Sequence, residues 1–497
     1  MSGSDRSADR APESLGALEL ARALRTGIVD VREHTESVLA LAAERGARVG
    51  AFAHLAPELS RRQAEEAAAA LERGDPRPLL GVPIPIKDLT RVAGLPWEAG
   101  SIVMRGSVAD VTDGVAEDIL AAGTVTIGKT STPEFGMPCY TEPATGAPAR
   151  TPWDLRRTAG GSSGGAAAAV ASGVVPLAHG SDGGGSIRIP AACCGIIGLK
   201  PTRGLVSPGP HGIEGPGLVT DGVLARTVRD AAAGLDAIAR TRPGDAFGRE
   251  RAAQSYRAAV EDGARVLGDA AGGGRTLRIG VLTQPLNIDT AIHPAALRGV
   301  ERARALLADA GHVLQDVDAP FTPEQWRAFM PIWSTGAAAI ELPPEAEEHL
   351  EPLTRWLRET GCAVSGVELA RALGGMQAVA RRAGEAFASF DLILTPSLSG
   401  PPAFPADLRL EDPAADFDAQ CAFTPWTSTW NMTGMAAVSV PLHREEIDGV
   451  ELPFGIHLGA VRPGAEGLLL AVAALLEARD PWPLIRVPDG DPAAAEA

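Results

Sequence analysis

The sequence predicts an α/β protein whose sheet is covered by helices on its faces. Two observations support this fold class. Between residues 79 and 210, short apolar runs alternate with glycine-rich loops and small-residue helices; the runs lie at 82–86, 125–127, 174–177 and 196–199. Further strand-like segments begin near Leu277 and lie at 312–317, 391–396 and 436–442. Continuous apolar runs of this length are typical of strands that are buried on both sides.

Helical periodicity opens the chain. Apolar residues recur at helical spacing over 14–48, with a break at Gly27, so we expect two helices there. A third helix is expected over 57–72, because a Gly-Asp-Pro turn follows at 74–76, and another over 295–310, ended by Gly311. The polar, Gly- and Ala-rich stretch 241–275 is either a linker or a surface insertion. No segment divides the chain clearly, so we expect one catalytic domain over 15–487, with disordered ends at 1–14 and 488–497.

Composition limits the classes of partner. The chain has 45 Lys and Arg against 62 Asp and Glu, a net charge of −17, which disfavours binding to nucleic acids or acidic membranes. Its five cysteines are an odd number without C-x-x-C spacing, as expected in a reducing compartment. The polar N-terminus lacks the apolar core of a signal peptide, and the apolar run 467–476 is too short to span a bilayer. We therefore expect a soluble cytoplasmic protein.

One segment matches a phosphate-binding loop by letter. Residues 123–130, GTVTIGKT, fit the pattern G-x-x-x-x-G-K-[ST]. A phosphate loop must be flexible and must lead into a helix, whereas this segment has a β-branched interior and is followed by Pro133. We interpret the match as accidental, and a nucleotide-binding assay would test that interpretation.

A second pattern is ambiguous in a similar way. Residues 161–165, GSSGG, fit the nucleophile-elbow pattern G-x-S-x-G with Ser163 at its centre. An elbow follows a buried strand, but the preceding residues 153–158 are polar, and no histidine and acid are evident as partners for Ser163. A flexible Gly/Ser linker is also disfavoured, because the apolar segment 166–175 follows.

The segment 160–204 (GGSSGGAAAAVASGVVPLAHGSDGGGSIRIPAACCGIIGLKPTRG), taken with GVPIPIKD at 81–88, carries the most specific signal. It resembles the amidase-signature family, whose lysine in K-D, serine in G-G-S-S-G-G and serine in D-x-G-G-S form a Ser-Ser-Lys triad. The resemblance places these residues at Lys87, Ser162 and Ser186, with the signature core at about 79–210. It implies a large twisted mixed sheet covered on both faces by helices, a cis peptide at the first serine, and neither a metal nor an organic cofactor.

The physical chemistry of these residue types suits the implied roles. A serine hydroxyl becomes a useful nucleophile when a base takes its proton, and lysine can be that base only where burial keeps it neutral. Lys87 ends an apolar run, although an isolated lysine beside Asp88 would otherwise be read as a surface ion pair. Gly183, Gly184 and Gly185 allow the backbone N–H groups before Ser186 to approach an oxyanion, although glycines also serve in plain tight turns. Ser162 would pass protons between Lys87 and Ser186.

The resemblance covers about residues 18–482 and shows some departures. Segments 128–136 and 431–441 match further family elements, and Asp182, Arg188 and Lys200 match positions that we expect to serve internal hydrogen bonding and ion pairing. Ser181 replaces a usual threonine, and Gly183 replaces a larger residue, which would widen the pocket. Met435-Ala436 stands where Gln-Pro is usual, and Pro85 is unusual before Lys87.

Segments 207–210, 224–230 and 242–245 resemble the branch that contains 6-aminohexanoate cyclic-dimer hydrolases. The expected reaction is hydrolysis of a small carboxylic amide, cyclic or aryl, through an acyl-enzyme. Candidate substrate contacts are Met137, Cys139, Tyr140, Trp333 and Trp430, each of which could equally be a core residue.

Three alternatives remain open: the glutaminase subunit of a tRNA-dependent amidotransferase, an acyltransferase or amide synthase that uses the same acyl-enzyme, and a non-catalytic scaffold. Relatives are commonly dimers, so a homodimer is a further expectation.

Overall fold

A computed structural model describes residues 11–213, 215–267 and 274–488 of the chain. Within these ranges no helix is both long and apolar enough to cross a membrane. The α-helices are α1 (Ala17–Arg25), α2 (Val31–Leu41), α3 (Pro57–Glu72), α4 (Gly114–Ala121), α5 (Gly164–Ala171), α6 (Arg188–Cys194), α7 (Val228–Ile238), α8 (Tyr256–Leu267), α9 (Pro294–Asp309), α10 (Pro323–Trp326), α11 (Phe329–Ala338), α12 (Pro352–Ala363), α13 (Gly366–Ala386), α14 (Pro405–Leu408), α15 (Pro413–Phe423), α16 (Ser428–Thr433) and α17 (Glu466–Arg479).

The strands form one large sheet and two small ones. They are β1 (Phe52–Leu55), β2 (Ile86–Lys87), β3 (Gly128–Thr130), β4 (Arg150–Thr151), β5 (Asp154–Thr158), β6 (Leu177–Asp182), β7 (Ile197–Lys200), β8 (Thr220–Ala225), β9 (Arg278–Val281), β10 (Val313–Asp316), β11 (Leu392–Pro396), β12 (Ala437–Ile447) and β13 (Val450–Ala460). The large sheet has eight strands in the order β10-β9-β11-β13-β12-β7-β8-β6. Its β10-β9-β11 edge is parallel and the other pairs are antiparallel, so the α/β class with a mixed sheet is confirmed.

Helices cover both faces of this sheet. Successive side chains of a strand point to opposite faces. On β13, a Cβ at Gly455 would lie 3.0 Å from Ala192 of α6, whereas the neighbouring Ile456 faces α9 at Gly299. Helices α6 and α9 therefore lie on opposite faces, and the core between α9, α17 and the sheet is apolar.

A small sheet, β1-β3-β2, positions Lys87. Strand β2 runs parallel to β3, with Lys87 opposite Thr130. The sequence predicted a strand over 82–86, but regular pairing covers only Ile86 and Lys87. Pro83 and Pro85 lack the N–H group that a continuous ladder needs, and Pro83 forms only an isolated bridge with Val125.

The predicted opening helices are confirmed as α1 and α2, and α3 has the predicted bounds. In the predicted N-terminal tail 1–14, Pro12–Ser14 form a 3₁₀ turn closed by a hydrogen bond from Ser14 Oγ to the Ala11 carbonyl, while residues 1–10 lie outside the described ranges. Of the predicted tail 488–497, all but residue 488 lie outside them as well. The stretch 241–275 contains α8, which buries Tyr256 and Val260, so this part of it packs as a helix on the core.

The phosphate-loop pattern belongs to a strand. Gly128–Thr130 is β3, and Lys129 is fully buried with its Nζ 2.7 Å from Asp88 Oδ1. Asp88 also accepts hydrogen bonds from the backbone N–H groups of Glu98 and Ala99. Lys129 is thus committed to an internal ion pair, and Asp88 is not the partner of Lys87.

Lys129→Met is expected to destabilise the fold by about 3–5 kcal/mol, because it leaves the buried Asp88 carboxylate without its cation. Urea unfolding followed by circular dichroism measures the change. Arg32→Met is the matched control, since its ion pair with Glu65 is exposed and screened by water, so its loss should change stability little. Equal losses for the two variants would contradict the assignment of Lys129 to a structural pair.

Candidate active site

Lys87 is fully buried at the end of β2. Its Nζ lies 2.8 Å from Ser162 Oγ, 3.0 Å from Ser181 Oγ and 3.4 Å from the Ser181 carbonyl oxygen. Burial lowers the pKa of Lys87 to about 7, although the carboxylates of Asp221 and Asp182 act to raise it. A substantial fraction of this lysine is therefore neutral near pH 7 and can accept a proton from the serine that it contacts.

Ser162 stands in the loop before α5, and the peptide bond Gly161–Ser162 is cis, as the resemblance implies. The neighbouring Ser163 has a different environment. Its hydroxyl is fully buried and donates to the Ser181 carbonyl at 3.2 Å, and its N–H donates to the Ser186 carbonyl at 3.0 Å. Ser163 thus ties the two serine-bearing loops together, while Ser162 faces the lysine.

Ser186 follows the three glycines in the loop between β6 and α6. Gly185 has φ +136°, and a Cβ there would lie 2.4 Å from Thr427 Oγ1, so the position requires glycine. Thr427 Oγ1 in turn donates to the Gly184 carbonyl at 2.7 Å. In the described part of the chain, the N–H groups of Gly183, Gly184, Gly185 and Ser186 donate to no protein acceptor. They are free to bind an oxygen in the adjoining cavity.

A buried polar network fixes this loop. Arg188 donates two hydrogen bonds to Asp182, at 2.9 and 2.8 Å, and a third to Asn431 at 2.7 Å. Asn431 donates to both the carboxylate and the carbonyl of Asp182. Burial alone would raise the pKa of Asp182, but Arg188, Lys200 and Asn431 hold it well below its usual range. Asp182 and Arg188 thus serve the internal pairing that the sequence predicted.

Ser186 opens into a cavity whose space, counted out to its solvent-open mouth, is about 460 Å³. The cavity is lined by Met137, Pro138, Cys139, Gly184, Ser186, Ile189, Asn287, Trp326, Phe329, Trp333, Phe417, Gln420, Cys421, Thr424 and Ser428. One wall is aromatic: Phe329 stacks on Trp326 and on Trp333, with ring centroids 5.2 Å apart in both pairs. None of the described residues that line the cavity carries a charge, so it suits an uncharged apolar or aromatic group.

Comparison with known proteins agrees with this geometry. Residues 33–470 match the family described as Amidase. The chain belongs to the amidase-signature family. It is an amidohydrolase that acts on amide C–N bonds.

Relatives cover almost the whole of this amidase. It is 33% identical to the 6-aminohexanoate-cyclic-dimer hydrolase of Paenarthrobacter ureafaciens over 489 residues, which cover 93% of this chain and 94% of the relative. A solved 6-aminohexanoate cyclic dimer hydrolase complexed with substrate matches with a TM-score of 0.85 at 30% identity, covering 95% of this chain and 98% of the other. A bacterial aryl acylamidase of the same family matches with a TM-score of 0.83 at 26% identity, covering 94% and 97%.

The five pocket residues that the sequence predicted lie in three different environments in this amidase. Met137, Cys139 and Trp333 line the cavity beside Ser186. Tyr140 does not, because its hydroxyl is buried and donates to Asp416 at 2.7 Å. Trp430 does not either. Its indole donates to the Ala460 carbonyl at 3.1 Å and fills the space over Gly459 on the sheet, where a Cβ would clash with the ring.

Several lining residues were not predicted from the sequence. Trp326, Phe329 and Trp333 are spaced i, i+3 and i+7, so the spacing could have indicated one aromatic face. Phe417 and Cys421 lie on α15 at spacing i, i+4 and also line the cavity. Asn287 lies in a loop and carries no comparable signal. Its buried Oδ1 accepts no hydrogen bond from the residues that the structure describes.

Proposed function

We propose that this amidase works through a Ser-cisSer-Lys triad in which Ser186 forms the acyl-enzyme. The observation that carries the proposal is the buried contact of 2.8 Å between Lys87 Nζ and Ser162 Oγ, beside a cavity that contains Ser186. The Ser186 Oγ attacks the amide carbonyl carbon and passes its proton to Ser162, which passes its own proton to neutral Lys87. As the C–N bond breaks, Ser162 protonates the leaving nitrogen and recovers a proton from Lys87. Water then repeats the attack on the ester and releases the acid.

The glycines before Ser186 are proposed as the oxyanion hole. Among the described residues, the N–H groups of Gly183, Gly184, Gly185 and Ser186 have no protein acceptor, and the network around Asp182 and Arg188 holds the loop before any substrate binds. Donors that are already in place need no reorganisation when negative charge develops on the carbonyl oxygen. Gly183 allows Trp333 to pack close to this loop, because a Cβ at Gly183 would lie 3.1 Å from the Trp333 ring.

The proposed substrate is a small, uncharged carboxylic amide, cyclic or aryl. The aromatic wall and the uncharged side chains of the described lining residues support an apolar body next to the scissile bond. The relatives named a cyclic-dimer hydrolase and an aryl acylamidase support the same two classes. Glutamine fits less well, because its ammonium and carboxylate groups would need charged partners in the cavity. This disfavours the role of glutaminase subunit.

Trp333→Ala is expected to raise KM for an anilide about tenfold or more, with a smaller change in kcat, because the variant removes aromatic contact area without touching Ser186. Trp333→Phe keeps a ring for Phe329 to stack on and should stay near the wild type. Steady-state kinetics with an anilide and with a short aliphatic amide measure the effect. An equal change for both substrates would argue against aromatic recognition by this wall.

We also propose that residues 15–487 act as one cytoplasmic domain. One apolar core contains residues from Ala17 to Trp482, which supports a single unit. All five cysteines are free thiols, as a reducing compartment favours. Size-exclusion chromatography with light scattering tests the expected homodimer.

The reaction is tested by incubating the purified protein with aryl, cyclic and linear amides and with glutamine, and by measuring acid and amine release. Turnover of an uncharged aryl or cyclic amide by the lone protein is the expected result. Turnover of glutamine alone would instead favour the glutaminase. Adding hydroxylamine identifies an acyltransferase, because the hydroxamate would then replace the free acid as the main product.

A further inference from the structure

His179 lies on β6 with its side chain fully buried, next to the backbone of Lys87. The Lys87 N–H donates to His179 Nδ1 at 3.3 Å, and the His179 Nε2 lies 3.0 Å from Asp221 Oδ1. Asp221 is on the adjacent strand β8, opposite Ser181, and about a fifth of its side chain is exposed. The His179 ring therefore forms hydrogen bonds to two groups, the Asp221 carboxylate on one side and the backbone of the proposed catalytic lysine on the other.

The hydrogen bonds define the protonation of the ring. A backbone N–H can only donate, so Nδ1 must be an acceptor without a proton. The ring proton of the neutral histidine is then on Nε2, where it donates to Asp221. The ring therefore bonds the Lys87 N–H through one nitrogen and Asp221 through the other.

His179 also takes the place of a missing sheet partner. Strand β2 pairs with β3 on one edge only, and Pro85 precedes it. On the other edge, the His179 N–H donates to the Pro85 carbonyl at 3.2 Å, while its ring accepts from Lys87. One residue therefore holds the chain on both sides of Ile86, which fixes the position from which the lysine side chain extends to Ser162.

The charges around Lys87 give Asp221 a separate role. Two carboxylates act on its ammonium form, Asp221 and Asp182. Asp182 is paired with Arg188 at 2.8 Å, so its charge is largely compensated. Asp221 has no Lys or Arg within salt-bridge distance among the described residues; its partner is the ring of His179. Asp88, next to Lys87 in sequence, is paired with Lys129.

We propose that His179 and Asp221 are positioning residues for Lys87: the imidazole holds the lysine backbone, and the carboxylate stabilises the ammonium that the lysine becomes during acyl transfer. This inference rests on the proposed function, because it requires Lys87 to carry a proton in the reaction cycle. Neither residue lines the cavity beside Ser186, so neither is expected to contact substrate.

Asp221→Asn tests the electrostatic part. Removal of the charge should lower the pKa of Lys87, so the acid limb of the pH profile of kcat should move down by about one pH unit. On the alkaline plateau, kcat should fall about tenfold, because the ammonium is less stabilised, and KM should stay unchanged. Asp316→Asn is the matched control, since it changes the net charge equally at an exposed, distant site. An unshifted acid limb in Asp221→Asn would overturn this part of the proposal.

His179→Asn and His179→Gln test the positioning part. The Asn oxygen can replace Nδ1 as acceptor for the Lys87 N–H, whereas the Gln amide can replace Nε2 as donor to Asp221. We expect His179→Asn to keep more of the wild-type kcat than His179→Gln, by about fivefold or more, with similar KM. Equal kcat for the wild type and both variants would overturn the role, and circular dichroism checks that both variants fold.

Ser186→Ala, assayed in parallel, separates the two claims. If it retains turnover, the proposed function fails. If it is inactive while the Asp221 and His179 variants behave as the wild type, only the present inference fails.

Discussion

Ser186→Ala is expected to lower kcat/KM for amides by about four orders of magnitude or more. The variant removes the oxygen that would form the acyl-enzyme, and the methyl side chain offers no substitute nucleophile. The fold should persist, because Ser186 lies at a cavity and its carbonyl, which accepts from the Ser163 N–H, is retained. Amine release, measured with enzyme concentrations high enough to detect residual turnover, gives the ratio.

Ser163→Ala is the matched control for this loss. Ser163 also carries a hydroxyl in the G-x-S-x-G pattern, but that hydroxyl is buried and donates to the Ser181 carbonyl. Its removal should cost stability of about 1 kcal/mol and change kcat/KM only a few-fold. A large loss in Ser163→Ala together with an active Ser186→Ala would exchange the roles of the two serines.

Lys87→Met is expected to lower kcat by about three orders of magnitude, the middle of the range for loss of a general base. Methionine fills the buried space without a titratable group, so the change removes the proton acceptor of Ser162 and preserves packing. Lys87→Arg should be equally impaired, because a guanidinium stays protonated at every accessible pH. Activity of Lys87→Arg within tenfold of the wild type would contradict the role of base.

The wild-type enzyme should show the pH dependence of this base. Lys87 must be neutral to accept a proton, and its pKa is lowered to about 7 by burial. Activity should therefore reach its maximum above pH 7 and be lost as the pH falls through about 7. In Lys87→Met the residual rate should lose this acid limb, and its persistence there would assign the limb to another group.

Much of the site was predictable because its residues lie in contiguous motifs. Lys87 follows an apolar run, Ser162 lies among glycines, and Ser186 follows three glycines, so local sequence marks each one. The contact between Lys87 and Ser162 joins residues 75 positions apart, and the family resemblance predicted it where periodicity could not. The strand at 82–86 was predicted too long, because the prediction rested on the apolar side chains of this run. Pro83 and Pro85 lack the N–H groups that regular strand pairing needs.

The cavity was harder to predict than the catalytic residues. Its aromatic side chains come from α10, α11 and α15, which are distant in sequence from Ser186 and meet it only through tertiary packing. Trp430 shows the limit of reasoning from residue type. Tryptophan suits a substrate pocket and a core equally well. Here the Trp430 ring packs on the sheet in the space that the missing side chain of Gly459 on β13 leaves open.

The central claim is that Ser186 is the nucleophile, and covalent trapping tests it most directly. The protein would be incubated with an aryl phosphonate, digested and mapped by tandem mass spectrometry. The account predicts one added phosphonyl group on Ser186, loss of amidase activity in proportion to labelling, and no labelling of Ser186→Ala. A label on Ser163, or full amide turnover by protein that is completely labelled at Ser186, would contradict it.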